Sequence, residues 1–157
     1  VAATPATTAL KALGLDFDLL EYAHDPRAEA YGLEAADKLD LDPATVFKTL
    51  VVSDGGKNHA LVLVPVAAKL ALPAAAKALG WKRAEMADKA DAARLTGYVL
   101  GGISPFGTKK ALPVVVDETF LLCDRVHFSG GRRGLEIAMA PDPFAAALSA
   151  IPADIQA

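Results

Sequence analysis

An α+β fold, with a mainly antiparallel, mixed sheet and short helices packed around it, is what this sequence predicts, and three observations carry the prediction. A capping residue followed at once by proline, the signature of a first helical turn, occurs at Thr4-Pro5, Asp42-Pro43 and Asp142-Pro143. Short alanine- and leucine-rich stretches stop at Gly14, Gly80 and Gly97, where glycine closes a helix at no steric cost. The last third consists of β-prone runs separated by glycines, without the regular strand-helix alternation that a doubly wound parallel sheet needs.

The opening helix begins at Thr4-Pro5, carries Ala6, Leu10 and Leu13 on one face and ends at Gly14. Residues 15–22 are rich in Phe and Leu and read as a strand, after which His24-Asp25-Pro26 turns the chain. A second helix follows over 32–39. Asp42-Pro43 starts a single helical turn before the strongly β-prone run 46–53. Asp54-Gly55-Gly56 reverses the chain into 59–65, so these two segments form a hairpin. Helices are predicted over 73–79 and 88–95, then strands over 98–100, 112–116, 121–128 and 135–139, and a closing helix from Asp142-Pro143. With no repeat, low-complexity tract or linker, residues 1–157 read as one domain.

A chain of this size buries roughly two thirds of its unfolded surface without staples, so it is expected to fold on its own core. Cys123 is the single cysteine, which excludes an intrachain disulfide, and no Cys/His spacing suggests a metal site, so a reducing compartment is expected. The longest apolar runs, such as 60–68, are too short to span a bilayer, and the first ten residues show no basic region ahead of an apolar one. A cytoplasmic protein without membrane attachment or cofactor is the expectation. The formal net charge of −3 argues against holding nucleic acid by bulk electrostatics. Any RNA contact has to be local, and the basic pairs Lys82-Arg83, Lys109-Lys110 and Arg132-Arg133 are the candidates beside their plain reading as solvated surface.

Lys48 breaks the pattern of its strand. Its same-face neighbours Val46, Leu50 and Val52 are all apolar. An unpaired buried ammonium is costly, so the lysine either reaches water at a sheet edge or faces a polar cleft. Glu136 is a second anomaly, since it shares a strand face with Ala138 and Ala140; an exposed glutamate is the plainer reading, and pairing with Lys48 or with a substrate amine the alternative. The segment Gly101-Gly102-Ile103-Ser104-Pro105-Phe106-Gly107 is suited to unusual backbone angles, as a structural turn or as a cradle for phosphate or a developing oxyanion. Ser129-Gly130-Gly131-Arg132-Arg133-Gly134 adds two arginines to the same texture. No nucleophile elbow is present; His24 reads as a turn residue, His127 as a structural histidine and Cys123 as a core cysteine.

Six segments in this order, Thr4-Pro5-Ala6, Phe47-Lys48-Thr49-Leu50, Glu85-Met86-Ala87-Asp88-Lys89, Thr96-Gly97-Tyr98, Gly101-Gly102-Ile103-Ser104-Pro105 and Ser129-Gly130-Gly131-Arg132-Arg133-Gly134-Leu135, give the chain a nearly end-to-end resemblance to a known family. It resembles the YbaK/EbsC family of Cys-tRNA(Pro) deacylases, related to the editing domain inserted in bacterial prolyl-tRNA synthetases. The resemblance implies the single-domain fold of those editing domains and hydrolysis of mischarged Cys-tRNA(Pro). It implies Lys48 as the active-site lysine, with Gly101 beside it, and a pocket for the terminal adenosine and its aminoacyl ester lined by Gly101, Gly102, Ile103 and Ser104. Tyr22 and Tyr31 would border that pocket, and Thr49, Ser129 and Glu136 would complete its polar wall. Arg132, Arg133, Lys109 and Lys110 would be tRNA contacts. No metal or cofactor is implied, and the implied partners are mischarged tRNA(Pro) and prolyl-tRNA synthetase. An Ala-tRNA(Pro) deacylase of the same superfamily and a non-catalytic module binding RNA ends or a nucleotide are the alternatives.

Overall fold

The computed structural model describes residues 3–28 and 30–157, so Val1 and Ala2, part of the stretch read above for a leader, lie outside the described residues. Helix α1, Pro5–Ala12, starts where the cap-proline signature places it. Thr4 and Thr7 cap each other: Thr7 N–H donates to Thr4 Oγ1 at 3.2 Å and Thr4 N–H to Thr7 Oγ1 at 2.9 Å. The Thr4 hydroxyl also donates to Gly130 O at 2.5 Å, tying this helix start to the glycine-arginine loop 126 residues further along the chain.

Two sheets form. Strands β1 (Asp18–Glu21), β6 (Val126–Ser129) and β7 (Leu135–Met139) make an antiparallel sheet in the order β1-β7-β6. Strands β2 (Phe47–Ser53), β3 (His59–Pro65), β4 (Glu85–Met86), β5 (Val114–Asp117) and β8 (Ile151–Ala153) make a mixed sheet in the order β4-β2-β3-β5-β8. The β2-β3 hairpin is antiparallel with Phe47 opposite Pro65 and Ser53 opposite His59, while β3-β5 and β5-β8 are parallel. Helices α2 (Tyr31–Lys38), α3 (Leu72–Leu79), α4 (Lys89–Thr96) and α5 (Pro141–Leu148) surround them. The mainly antiparallel, mixed α+β architecture is therefore the one the sequence predicts.

The period-two pattern of β2 and β3 sorts their side chains onto two faces. Phe47, Val51, Leu61 and Leu63 enter the main core with Phe128 and Ile137 of the smaller sheet, and Phe144 of α5 packs against Phe106, Phe120 and Phe128 with ring centroids 4.6–5.3 Å apart. Leu50, Val52, Val62 and Val64 pack with Ala75 of α3 on the other face. One backbone bridge, Val46 to His127 in the parallel sense, sets the start of β2 beside β6 and so brings the two sheets together at one end.

Three strand expectations change. Residues 98–100 are a turn: Gly102 N–H donates to Val99 O at 2.9 Å, and the Tyr98 hydroxyl reaches Phe106 O at 2.6 Å. Their β-prone side chains have no neighbouring strand to pair with, and tertiary context overrides propensity. The first two residues of 121–128 belong to a 3-10 helix, Glu118–Leu122, whose start is fixed by Asp117 accepting from Thr119 N–H at 3.3 Å; strand begins only at Val126 and runs to Ser129. The first strand shrinks to four residues. Strands β4 and β8, of two and three residues, show no periodicity in the sequence.

Candidate active site

At the end where the two sheets meet, a cavity of about 150 Å³ opens between β2, the first turn of α2, the 98–107 loop and the β6-β7 ribbon. Lys48 and Thr49 come from β2, Tyr31 from α2, Gly101 and Ile103 from the loop, and Ser129 and Glu136 from a cross-strand pair of the smaller sheet. Of the residues singled out above, these seven line one cavity. Extending the Val46-His127 bridge by two residues along parallel strands explains why Lys48 arrives beside Ser129.

Lys48 interrupts the apolar stripe of its strand, between Leu50 and Val52, which pack with α3, and Val46, which packs with α2, and it is half-buried. Burial, with a smaller contribution from Lys69, pushes its pKa below the usual lysine value. Glu136 overturns the plainer reading of an exposed strand glutamate: it is 6% exposed, on the central strand of its sheet. Burial pushes its carboxyl up to about 8 from the ordinary 4.5. No ion pair among the described residues joins the two groups, and Glu136 Oε2 has no hydrogen-bond partner.

Among the described residues, the buried side-chain oxygens with no hydrogen-bond partner are Thr49 Oγ1 and Glu136 Oε2. Both residues line this cavity. Native interiors satisfy nearly all buried polar atoms, because an orphan forfeits its hydration without compensation. Two orphans in one cavity lining leave polar atoms open to the hydrogen-bonding groups of a ligand.

The mouth is braced by a stack of side chains. The Arg133 guanidinium lies 4.3 Å from the Tyr31 ring centroid and donates through Nε and Nη2 to Leu100 O at 2.9 and 2.6 Å. Behind Tyr31 the His24 ring lies 5.8 Å away, with Nδ1 2.7 Å from Glu34 Oε1. Burial works against ionisation of Glu34, yet the bonds from His24, Asp25 N–H and Lys38 win and hold its pKa below the ordinary value. His24, expected to be a turn residue only, thus supports the wall of the site. Gly101, at φ +84°, faces the Tyr31 ring so closely that a Cβ would sit 2.5 Å from Cδ2.

Other expected members sit outside the cavity lining. Tyr22 is half-buried just behind it, where Glu136 and Glu34 add to burial in raising its pKa. Gly102 backs onto the 130–134 loop and its N–H is spent on Val99 O, so it neither lines the cavity nor offers a free donor there. Ser104 is fully buried, its hydroxyl 3.4 Å from Phe106 N. Arg132 pairs with Glu21 at 3.0 Å, and Lys109 and Lys110 lie on the α4 side, bonded through their backbone to Thr96 and Leu95. His127 bonds Thr45, and Cys123 lies near Thr119 O, so neither meets Ser129. Among the described residues no cluster of His, Cys, Asp and Glu could hold a metal ion.

Comparison with known proteins agrees with this arrangement. The model of the aminoacyl-tRNA editing domain matches residues 26–146, well over half of the chain. The chain belongs to the aminoacyl-tRNA editing domain family. A protein of Enterococcus faecalis (strain ATCC 700802 / V583), EbsC, provisionally named a Cys-tRNA(Pro)/Cys-tRNA(Cys) deacylase, is 35% identical over 107 residues, 68% of this chain. The match spans 65% of that relative's length, just under two thirds. A crystal structure of a protein provisionally described as a trans-editing enzyme for prolyl tRNA synthetase superposes with a TM-score of 0.86 at 25% identity, covering 100% of this chain and 99% of the other. The crystal structure of a hypothetical protein, APE2540, superposes with a TM-score of 0.86 at 27% identity, covering 98% and 100%. The fold is that of these editing domains.

Within the editing-domain frame, the sequence reading missed Gly32, Leu50 and Leu100 as parts of the cavity wall. Leu50 was on the Lys48 stripe and could have been read from it. Gly32 carries a packing signal only, since a Cβ there would lie 2.3 Å from Val66 Cγ1. No helix among the described residues is long and apolar enough to cross a membrane.

Proposed function

We infer that this editing domain is a trans-acting deacylase that hydrolyses Cys-tRNA(Pro) in the cytoplasm, with the thiol of the misattached cysteine as nucleophile. The observation that carries this reading is a small, mainly apolar cavity with a lysine and two orphaned oxygens in its lining and, among the described residues, no nucleophile in it hydrogen-bonded to a base. Its volume is well below the roughly 300–1,000 Å³ of sites for drug-sized ligands, which suits a small side chain.

An aminoacyl ester is already activated, so holding and orienting it supplies much of the rate. In the proposed step the substrate Sγ attacks its own carbonyl carbon, a C–S bond forms, the C–O bond to the ribose breaks, and the ribose oxygen leaves with a proton; water then opens the thiolactone. Lys48 is proposed to hold the carbonyl or a phosphate oxygen. Gly101 and Ile103 N–H, which donate to no backbone acceptor among the described residues, are proposed to steady the oxyanion in place of Gly102. Arg132 and Arg133 are kept as tRNA contacts, and prolyl-tRNA synthetase as the partner that supplies tRNA selectivity.

The test is release of amino acid from Cys-tRNA(Pro) and Ala-tRNA(Pro), side by side, with wild type and Lys48→Ala. Loss of cysteine alone, reduced on the order of 100-fold or more in the variant, is expected. Preferential loss of alanine would reassign the enzyme to the sister specificity, and loss of neither would leave a binding module.

A further inference from the structure

The cavity is bipolar. Lys48 and Glu136 both line it, no ion pair among the described residues joins them, and each remains available to a ligand. Glu136 Oε2 and Thr49 Oγ1 are both buried and unpartnered. A ligand suited to this set carries an electron-rich oxygen for the lysine and a hydrogen-bond donor for the orphaned pair within a few bonds. An aminoacyl ester has that layout, with the carbonyl oxygen on one carbon and the α-ammonium on the next.

We propose that Glu136 Oε2 and Thr49 Oγ1 together receive the α-ammonium of the aminoacyl group, making a free amine a condition of recognition. This rests on the deacylase reading above and names its substrate class: esters with an unblocked amine. Adenine and ribose donors are neutral and would leave a buried carboxylate without a countercharge, whereas an ammonium supplies one together with several donors. Burial favours the protonated carboxyl in the free protein, and a cationic ligand would favour its ionised form. The consequence is that N-acylated and peptidyl esters, whose nitrogen carries no charge, are refused.

The test compares two non-hydrolysable ligands that differ in one group: cysteinyl-adenosine joined through a 3′-amide, and its 3-mercaptolactyl counterpart with a hydroxyl in place of the ammonium. Affinities are measured by calorimetry under reducing conditions on wild type, Glu136→Gln and Thr49→Val, beside hydrolysis of Cys-tRNA(Pro) by wild type. The wild type is expected to prefer the ammonium ligand about 30-fold, as for a charge-assisted hydrogen bond, with the ratio falling within about threefold in Glu136→Gln and to an intermediate value in Thr49→Val. Equal wild-type affinities, a ratio preserved in Glu136→Gln, or no binding of either ligand at millimolar concentration would overturn the proposal. The wild-type ratio stands without any variant that must fold. A clear ratio without hydrolysis would sustain it while removing the deacylase reading; hydrolysis with equal affinities would do the reverse.

Discussion

At the scale of single residues, Glu136 ties folding to pH. Its carboxyl is held up to about 8 in the folded chain against 4.5 as the ordinary value. Between those values the folded state keeps a proton that the unfolded chain has released, so the stabilisation is complete below 4.5 and is lost as pH rises toward 8. The slope is roughly 1.4 kcal/mol per pH unit for a fully differential proton. Thermal melts of the unliganded protein are expected to show Tm about 5–10 °C lower at pH 8 than at pH 5, with the decline flattened in Glu136→Gln, which cannot ionise. An identical decline in both proteins would take Glu136 out of the pH dependence. Lys48 gives the converse case. Its partly buried ammonium has no carboxylate partner, so Lys48→Met, which keeps the stem, is expected to leave Tm unchanged or raise it by about 2 °C while activity is lost. A large fall in Tm would make the lysine structural.

At the scale of elements, the site depends on two loops meeting through a glycine. A Cβ on Gly102 would lie 2.9 Å from Arg132 Cα and 3.1 Å from its carbonyl carbon, backbone that has no rotamer to give. Gly102→Ala is therefore expected to push the 98–107 loop off the 130–134 loop and cost roughly 1–3 kcal/mol, read as a shift of the denaturation midpoint, and to lower activity through Gly101 and Arg133. The same loops show what was and was not legible in the sequence. Caps and glycine stops placed α1, α3 and α4 within a residue or two, because they act locally: Thr4 and Asp88 accept backbone N–H bonds within their own first turns, and Gly80 and Gly97 take left-handed angles. The 59–65 and 135–139 strands were legible because buried apolar runs need a sheet. Residues 98–100 were not, because Tyr98 is held by Phe106, and no local pattern announces that contact. In the site, Lys48 stood out as a charge on an apolar stripe, whereas burial of Glu136 depends on strands distant in sequence closing over it. The support of Tyr31 by His24 and Arg133 likewise exists only in three dimensions.

At the scale of the whole molecule, charge bounds how tRNA is held. The net charge is −3, Arg132 is engaged by Glu21, and Arg133 spends two donors on Leu100 O. Lys109 and Lys110 lie by α4, away from the cavity lining. Cations free to meet phosphates around the mouth are therefore few, and about three contacts to a single-stranded acceptor end correspond to a slope near −2 in log K against log salt. Fluorescence anisotropy with labelled tRNA(Pro) between 50 and 200 mM salt is expected to show weak binding that falls only about tenfold to twentyfold over that range. A slope steeper than about −5 would reveal a basic footprint elsewhere and remove the argument that selectivity is supplied by a partner. With the shallow slope, the editing domain gains its tRNA by association, and adding prolyl-tRNA synthetase is expected to raise the deacylation rate at limiting tRNA; an unchanged rate would count against that partner.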